Sequence, residues 1–169
     1  MFAVNDTVNY GTTGVCRIVD LVFRQFDGES RQYFVLKPMY DEKATIFVPT
    51  WNKALLAKMR RVLSVEEVYD MIRDMPDEQE IWIDDERERQ EKYKEILNSG
   101  DRRKIVQLIK ALYTHQQAQL AKGRKLRASD ERIMKEAERI LYAEFALVLD
   151  LTPEQVLPFI MNQLQVSQK

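Results

Sequence analysis

The chain has 169 residues with 26 basic and 27 acidic side chains, a net charge of -1, which suits one domain or two small ones. Its 45% hydrophobic and 31% charged residues argue for a folded chain and against wholesale disorder, and no apolar run reaches the ~18 residues of a membrane span. One cysteine, Cys16, excludes an internal disulfide and a cysteine zinc cluster.

The start, Met1-Phe2-Ala3-Val4-Asn5-Asp6, lacks the basic, apolar, cleavable order of a signal peptide, so the expected compartment is the cytoplasm. Residues 4–10 read as a first short strand. Gly11 and Gly14 bracket a loop. Val15, Arg17, Val19, Leu21 and Phe23 then alternate with Cys16, Ile18, Asp20, Val22 and Arg24, the period of a strand with one buried face. Asp27-Gly28 is a hairpin turn signal. A strand follows at 32–37, a turn at Tyr40-Asp41-Glu42-Lys43, and a further strand at 44–48, with Pro38 and Pro49 at strand ends. Short strands joined by tight turns imply a small antiparallel barrel.

From Ser64 the period becomes helical. Ser64-Val65-Glu66-Glu67 is a capping box, and Val65, Val68, Tyr69, Ile72 and Met75 form a stripe that Pro76 ends. Asp84 is placed to cap the next helix, which runs to Leu97. Ser99-Gly100-Asp101 supplies a stop and a restart. Ile105, Leu108, Ile109, Leu112 and Leu120 mark a third helix. Ser129 is placed to cap a fourth, whose apolar residues (Ile133 to Leu149) cover more than half its circumference and predict a central position. Thr152-Pro153-Glu154-Gln155 is a second capping box, and Pro158 is expected to kink or split the last helix. The fold class is therefore α+β: a small antiparallel barrel over residues 1–60, then an all-α domain of four to five helices over 61–169.

The near-zero net charge hides segregation. Residues 1–63 carry net +3, residues 64–97 net -8, residues 98–134 net +6 and residues 135–169 net -2. The basic block is the best candidate for contact with phosphate or an acidic partner. Little supports catalysis. The chain has no GxxxxGK[ST], GxGxxG, HExxH or GxSxG motif. Its one histidine, His115, and Cys16 sit in segments of opposite character. No enzyme, metal or cofactor is expected.

Phe2-x-Val4-x-Asp6-x-Val8-x-Tyr10, Gly14-Val15, Gly28-Glu29, Tyr33-x-Val35-Leu36-Lys37-Pro38 and Val48-Pro49 resemble the CarD family, whose N-terminal module is shared with the RNA polymerase-interacting domain of the transcription-repair coupling factor. Ser99-Gly100-Asp101, the helix over 104–112, and Ala137-x-x-Ile140-Leu141-x-x-Glu144 are similar to that family's helical domain. The resemblance implies a monomeric bacterial transcription regulator without enzymatic activity. Its Tudor-like (SH3-like) barrel would dock on the RNA polymerase β subunit. Its helical domain would contact promoter DNA at the upstream edge of the melted region and favour the open complex. Neither membrane nor cofactor is implied.

In well-known members a tryptophan wedges into the minor groove there. Trp82 is the wedge candidate, although it lies four residues before the matching position at Glu86; the alternative is a hydrophobic staple. Arg87 and Arg89 are candidate phosphate contacts or partners of nearby acids. Arg102, Arg103 and Lys104 at a helix N-terminus suggest a phosphate or neutralise the acidic segment before them. Lys122, Arg124, Lys125 and Arg127 form a basic loop around Gly123. Arg24 matches a polymerase-facing position, and Phe47 stands where some members have arginine, either at the polymerase contact or in the core. Trp51 reads as interdomain packing, Cys16 as core and His115 as helix surface. The rival to DNA contact is a protein–protein adaptor that docks on polymerase, or on another partner, without touching DNA.

Overall fold

The computed structural model describes residues 1–41 and 43–167, with side chains to 165. Glu42 of the expected 40–43 turn lies outside the described residues. The chain divides into two compact units, Met1–Val62 and the residues from Leu63 onward.

The first unit is a five-stranded antiparallel sheet. Its strands are β1 (Thr7–Tyr10), β2 (Gly14–Phe26), β3 (Glu29–Pro38), β4 (Ile46–Pro49) and β5 (Met59–Arg61), ordered β4-β3-β2-β1-β5. A one-turn helix α1 (Lys53–Leu56), capped by the Asn52 side chain, precedes β5. Neither α1 nor β5 was expected; each is too short to show a period. The residues between Gly11 and Thr13 form a 3-10 turn rather than an open loop. Asp27 and Gly28 both take positive φ, 53° and 79°, the two-residue geometry that matches the twist of a hairpin.

Simple alternation along β2 fails at one point. The register with β3 shifts between Ile18 and Asp20, leaving Val19 as the extra residue of a bulge. Before it, Cys16 and Ile18 face the core. After it, Leu21 pairs with core-facing Phe34, so the phase is inverted. Val8, Cys16, Ile18, Phe34, Leu36, Val48 and Met59 make the core of this unit. Burial pushes the Cys16 thiol up to about 11, as befits a packed thiol rather than a nucleophile.

The second unit is helical: α2 (Val65–Asp74), α3 (Glu86–Ser99), α4 (Arg102–Ala121), α5 (Ala128–Leu149) and α6 (Pro153–Ser167). Both halves of the Ser64 capping box form, Ser64 Oγ accepting from Glu67 N–H at 3.1 Å and Glu67 Oε1 accepting from Ser64 N–H at 3.2 Å. Of the α2 stripe, Val68 and Ile72 are buried while Val65 and Tyr69 stay exposed. Gly100 stops α3 in the left-handed region, φ 68°, and Asp101 starts α4 by accepting from Lys104 N–H at 3.2 Å.

Three expectations at helix ends need correction. Asp85, not Asp84, caps α3, because the Asp84 side chain is engaged by Trp82. Arg127, not Ser129, is the N-cap residue of α5, and the Ser129 hydroxyl donates to Glu86 instead. Finally, α6 runs unbroken through Pro158. A proline in the second turn removes a single backbone hydrogen bond, and Val156 and Ile160 on either side are buried in the core. Helix α5 packs against α2, α3, α4 and α6, so it is central, as its apolar coverage requires. Leu120, expected on the α4 stripe, is instead 53% exposed near the end of that helix.

Candidate nucleic-acid interface

Trp82 sits in the stretch between α2 and α3. That stretch has no regular structure of its own past the 3-10 turn Met75–Asp77, so other elements must satisfy its backbone. Lys110 Nζ on α4 donates to the carbonyls of Met75, Pro76 and Glu78 at 3.2, 2.7 and 2.8 Å. Tyr93 Oη on α3 donates to Ile81 C=O at 2.5 Å, and burial pushes that phenol up to about 12. Arg89 Nη1 donates to the carbonyls of Ile83 and Asp84 at 2.9 and 3.3 Å. The strap carrying Trp82 is therefore held at several points rather than hanging loose.

The indole is equally constrained. Its Nε1–H donates to Asp84 Oδ1 at 3.0 Å. The His115 ring stacks on it with centroids 4.1 Å apart and planes 25° apart, and the Arg89 guanidinium lies over it at 4.4 Å. Trp82 also packs against the helical core. Its named ring contacts come from Arg89 on α3 and His115 on α4. A cleft of about 430 Å³ opens beside it, lined by Trp82, Asp84, Arg89, His115, Gln119, Arg124, Lys125 and Arg127. Three of the four cations of the basic loop thereby meet the tryptophan. Gly123, φ 72°, turns the chain after α4, Arg124 N–H donates to Gln119 C=O at 2.8 Å, and buried Leu126 anchors the loop. Lys122 caps α4 through its backbone N–H and is exposed, but it is not a lining residue.

The other named cations are placed differently. Arg89 is not a surface group: it is 3% exposed and bidentate to Asp130, 1% exposed, at 3.0 and 2.9 Å. Its donors are used inside the protein, which corrects its reading as a phosphate contact. Arg102 likewise grips the buried Glu144 with Nε and Nη2, each at 2.7 Å. Glu144 Oε2 also accepts from Leu63 N–H at 2.9 Å, so Arg102 serves the core rather than an open anion site. Arg103 pairs with Glu78 at 3.0 Å and Arg87 with Glu91 at 3.4 Å, both arginines exposed. Arg127 pairs with Glu86. Lys104 is exposed on the first turn of α4.

His115, Gln119 and Asp84 belong to the cleft and were not singled out for it. A signal was present: 108, 112, 115 and 119 continue one helical stripe that turns from Leu to His and Gln. A stripe that keeps its period while becoming polar marks where a core opens into a site. Among the described residues, no group of three or more His, Cys, Asp or Glu side chains is placed to hold a metal ion, and no helix is long and apolar enough to cross a membrane.

In the first unit the bulge in β2 puts Arg24 on the sheet face opposite the core. The register places Phe47 there too, opposite Val35, and the Arg24 guanidinium lies over the Phe47 ring at 4.2 Å. Phe47 is therefore a surface residue and not a core one. Trp51 stacks within the same unit, on Phe26 (5.5 Å) and Tyr33 (6.4 Å), with Arg31 over it at 4.3 Å.

Two family models account for this arrangement. Residues 2–63 match the CarD-like/TRCF RID domain, and residues 67–160 match the CarD C-terminal domain. The chain belongs to the CarD family. A CarD-family protein is transcription-associated and interacts with RNA polymerase, and its two matched domains are regulatory or interaction modules rather than catalytic ones. The five-stranded first unit is accordingly the Tudor-like RID module, and the helices from α2 to α6 are the CarD C-terminal module. Arg24 and Phe47 lie in the RID match and the Trp82 cleft in the C-terminal match.

Proposed function

We propose that this CarD-family protein docks on the RNA polymerase β subunit through residues 1–60. Its helical domain, residues 61–169, then contacts promoter DNA near the upstream edge of the transcription bubble and stabilises the open complex. The observation that carries the DNA half is the convergence of Trp82 with Arg124, Lys125 and Arg127 on one cleft. Cations beside an aromatic ring suit a phosphate backbone with bases next to it. The polymerase half is supported by the RID match together with the Arg24–Phe47 pair on the open sheet face. The protein acts as a monomer in the cytoplasm, without catalysis or a cofactor.

The test is footprinting and lifetime measurement of polymerase–promoter complexes. Neutralising Lys122, Arg124, Lys125 and Arg127 together shortens the open-complex lifetime and leaves polymerase docking intact. On B-DNA each lost phosphate contact lowers the salt slope of binding by roughly 0.9. An unchanged lifetime in the four-site variant refutes the DNA contact.

One set of observations favours a second reading, the adaptor that does not touch DNA. Five of the nine candidate DNA-contacting cations, Arg87, Arg89, Arg102, Arg103 and Arg127, are in ion pairs within the protein. The same lifetime measurement separates the two.

A further inference from the structure

We propose that Arg24 and Arg31 together form a receptor for one carboxylate, and that this carboxylate belongs to an acidic segment of RNA polymerase. The inference rests on polymerase docking through the first unit and adds Arg31 and Trp51 to the contact. Arg24 on β2 and Arg31 on β3 are direct cross-strand partners. Like charges placed opposite each other on one sheet face destabilise a hairpin. An anion seated between them turns that repulsion into attraction, through charge-assisted hydrogen bonds from both sides. Within the unit Arg31 pairs with Glu29 at 3.1 Å, but Glu29 is 71% exposed. Such a pair is weak and screened, so it yields to a carboxylate that a partner buries.

Each guanidinium is laid on a ring. Arg24 lies over Phe47 at 4.2 Å and Arg31 over Trp51 at 4.3 Å. Stacking engages the flat face of a guanidinium and leaves its N–H edge for a carboxylate. Trp51 is itself placed by Phe26 at 5.5 Å and Tyr33 at 6.4 Å. Much of the ordering that binding requires is thus already done. Phe26, Phe47 and Trp51 remain 50%, 38% and 41% exposed. Exposed aromatic surface interleaved with arginine is the composition of an interface hot spot. The partner that fits is an acid flanked by apolar side chains: the carboxylate meets the two arginines and its neighbours cover the rings. The net charge of +3 over residues 1–63 favours an acidic partner, and the RID match favours polymerase over nucleic acid as its source.

The test titrates the full chain and its variants against RNA polymerase, with a DNA duplex as a second probe and the thermal unfolding midpoint as a check on folding. Arg24→Ala and Arg31→Ala each weaken polymerase binding roughly tenfold, the loss of one hot spot, at an unchanged midpoint. The double substitution weakens it by much less than the product of the two, because the shared carboxylate is lost once. Arg31→Lys does not restore affinity, since lysine keeps the charge without the fork or the flat face. Trp51→Leu, verified as folded by circular dichroism, weakens binding as well. Arg60→Ala on β5, at the other edge of the sheet from β4, binds like the parent. Affinity equal to the parent's in Arg31→Ala, full rescue by Arg31→Lys, or losses that simply multiply overturns the shared receptor. Loss of duplex binding in place of polymerase binding overturns the assignment to polymerase. A parent chain that fails to bind polymerase removes the docking reading and this inference together, whereas a parent that binds, beside Arg31→Ala and Trp51→Leu variants that bind equally well, removes this inference alone.

Discussion

At the scale of single residues, charge alone is a poor guide to which cations meet a partner. Arg89 and Arg87 both read as phosphate contacts, yet one is 3% exposed and bidentate to buried Asp130, and the other is exposed and pairs with exposed Glu91. The difference is energetic. Removing one member of a buried pair leaves the other charge desolvated and uncompensated, which costs about 3–5 kcal/mol. An exposed pair contributes about 0–1 kcal/mol, because water and salt screen it. Arg89→Ala is therefore expected to lower stability by about 3–5 kcal/mol, since Asp130 would keep only the Gln90 Nε2 bond at 2.9 Å. Arg87→Ala should change stability by less than about 1 kcal/mol, since both members of its pair are exposed. Denaturant unfolding of the two variants under one set of conditions checks the contrast, and equal losses would remove the distinction drawn between them.

At the scale of elements, caps and turns set where helices begin and end, and the cleft depends on that placement. The α3–α4 junction is the clearest case. Gly100 adopts φ 68° and Asp101 caps the following helix. A side chain in the left-handed region costs about 1–2 kcal/mol, so Gly100→Ala should lower stability by about that amount. Because α4 carries His115, Gln119 and the basic loop after it, far-UV circular dichroism should remain unchanged in this variant and the unfolding midpoint should fall. A midpoint equal to the parent's would mean that the junction tolerates a β-carbon. The β2 bulge works in the same way: one extra residue, Val19, decides which sheet face receives Arg24.

At the scale of the whole molecule, each unit carries its own core, one inside the sheet and one among the helices. A unit of about sixty residues buries a modest share of its surface and is marginally stable alone. The fragment comprising residues 1–62 is expected to fold and to bind the isolated polymerase β subunit, with Arg24→Ala weakening the complex. A pull-down with that fragment, its fold verified by circular dichroism, tests this. Reproducible failure of the folded fragment to bind would remove the docking assignment. The charge partition acts at this scale too: residues 64–97 at net -8 and residues 98–134 at net +6 are brought together partly by pairs such as Arg103–Glu78 and Arg127–Glu86.

Read alone, the sequence determined the α+β order, the Asp27-Gly28 hairpin, the Ser64 capping box, the Ser99-Gly100-Asp101 stop and restart, and the central place of α5. All of these rest on residues close along the chain, where period, capping and turn chemistry act directly. It also pointed to Trp82 and the 122–127 loop, but as separate candidates. Tertiary structure decided the rest. It paired Arg89 with Asp130 across 41 residues and Arg102 with Glu144 across 42. It stacked His115 on Trp82, inverted the face of β2 at Val19, and carried α6 through Pro158. Which charge is buried, which ring is covered and which proline is tolerated depend on neighbours distant in sequence, and no local pattern encodes them.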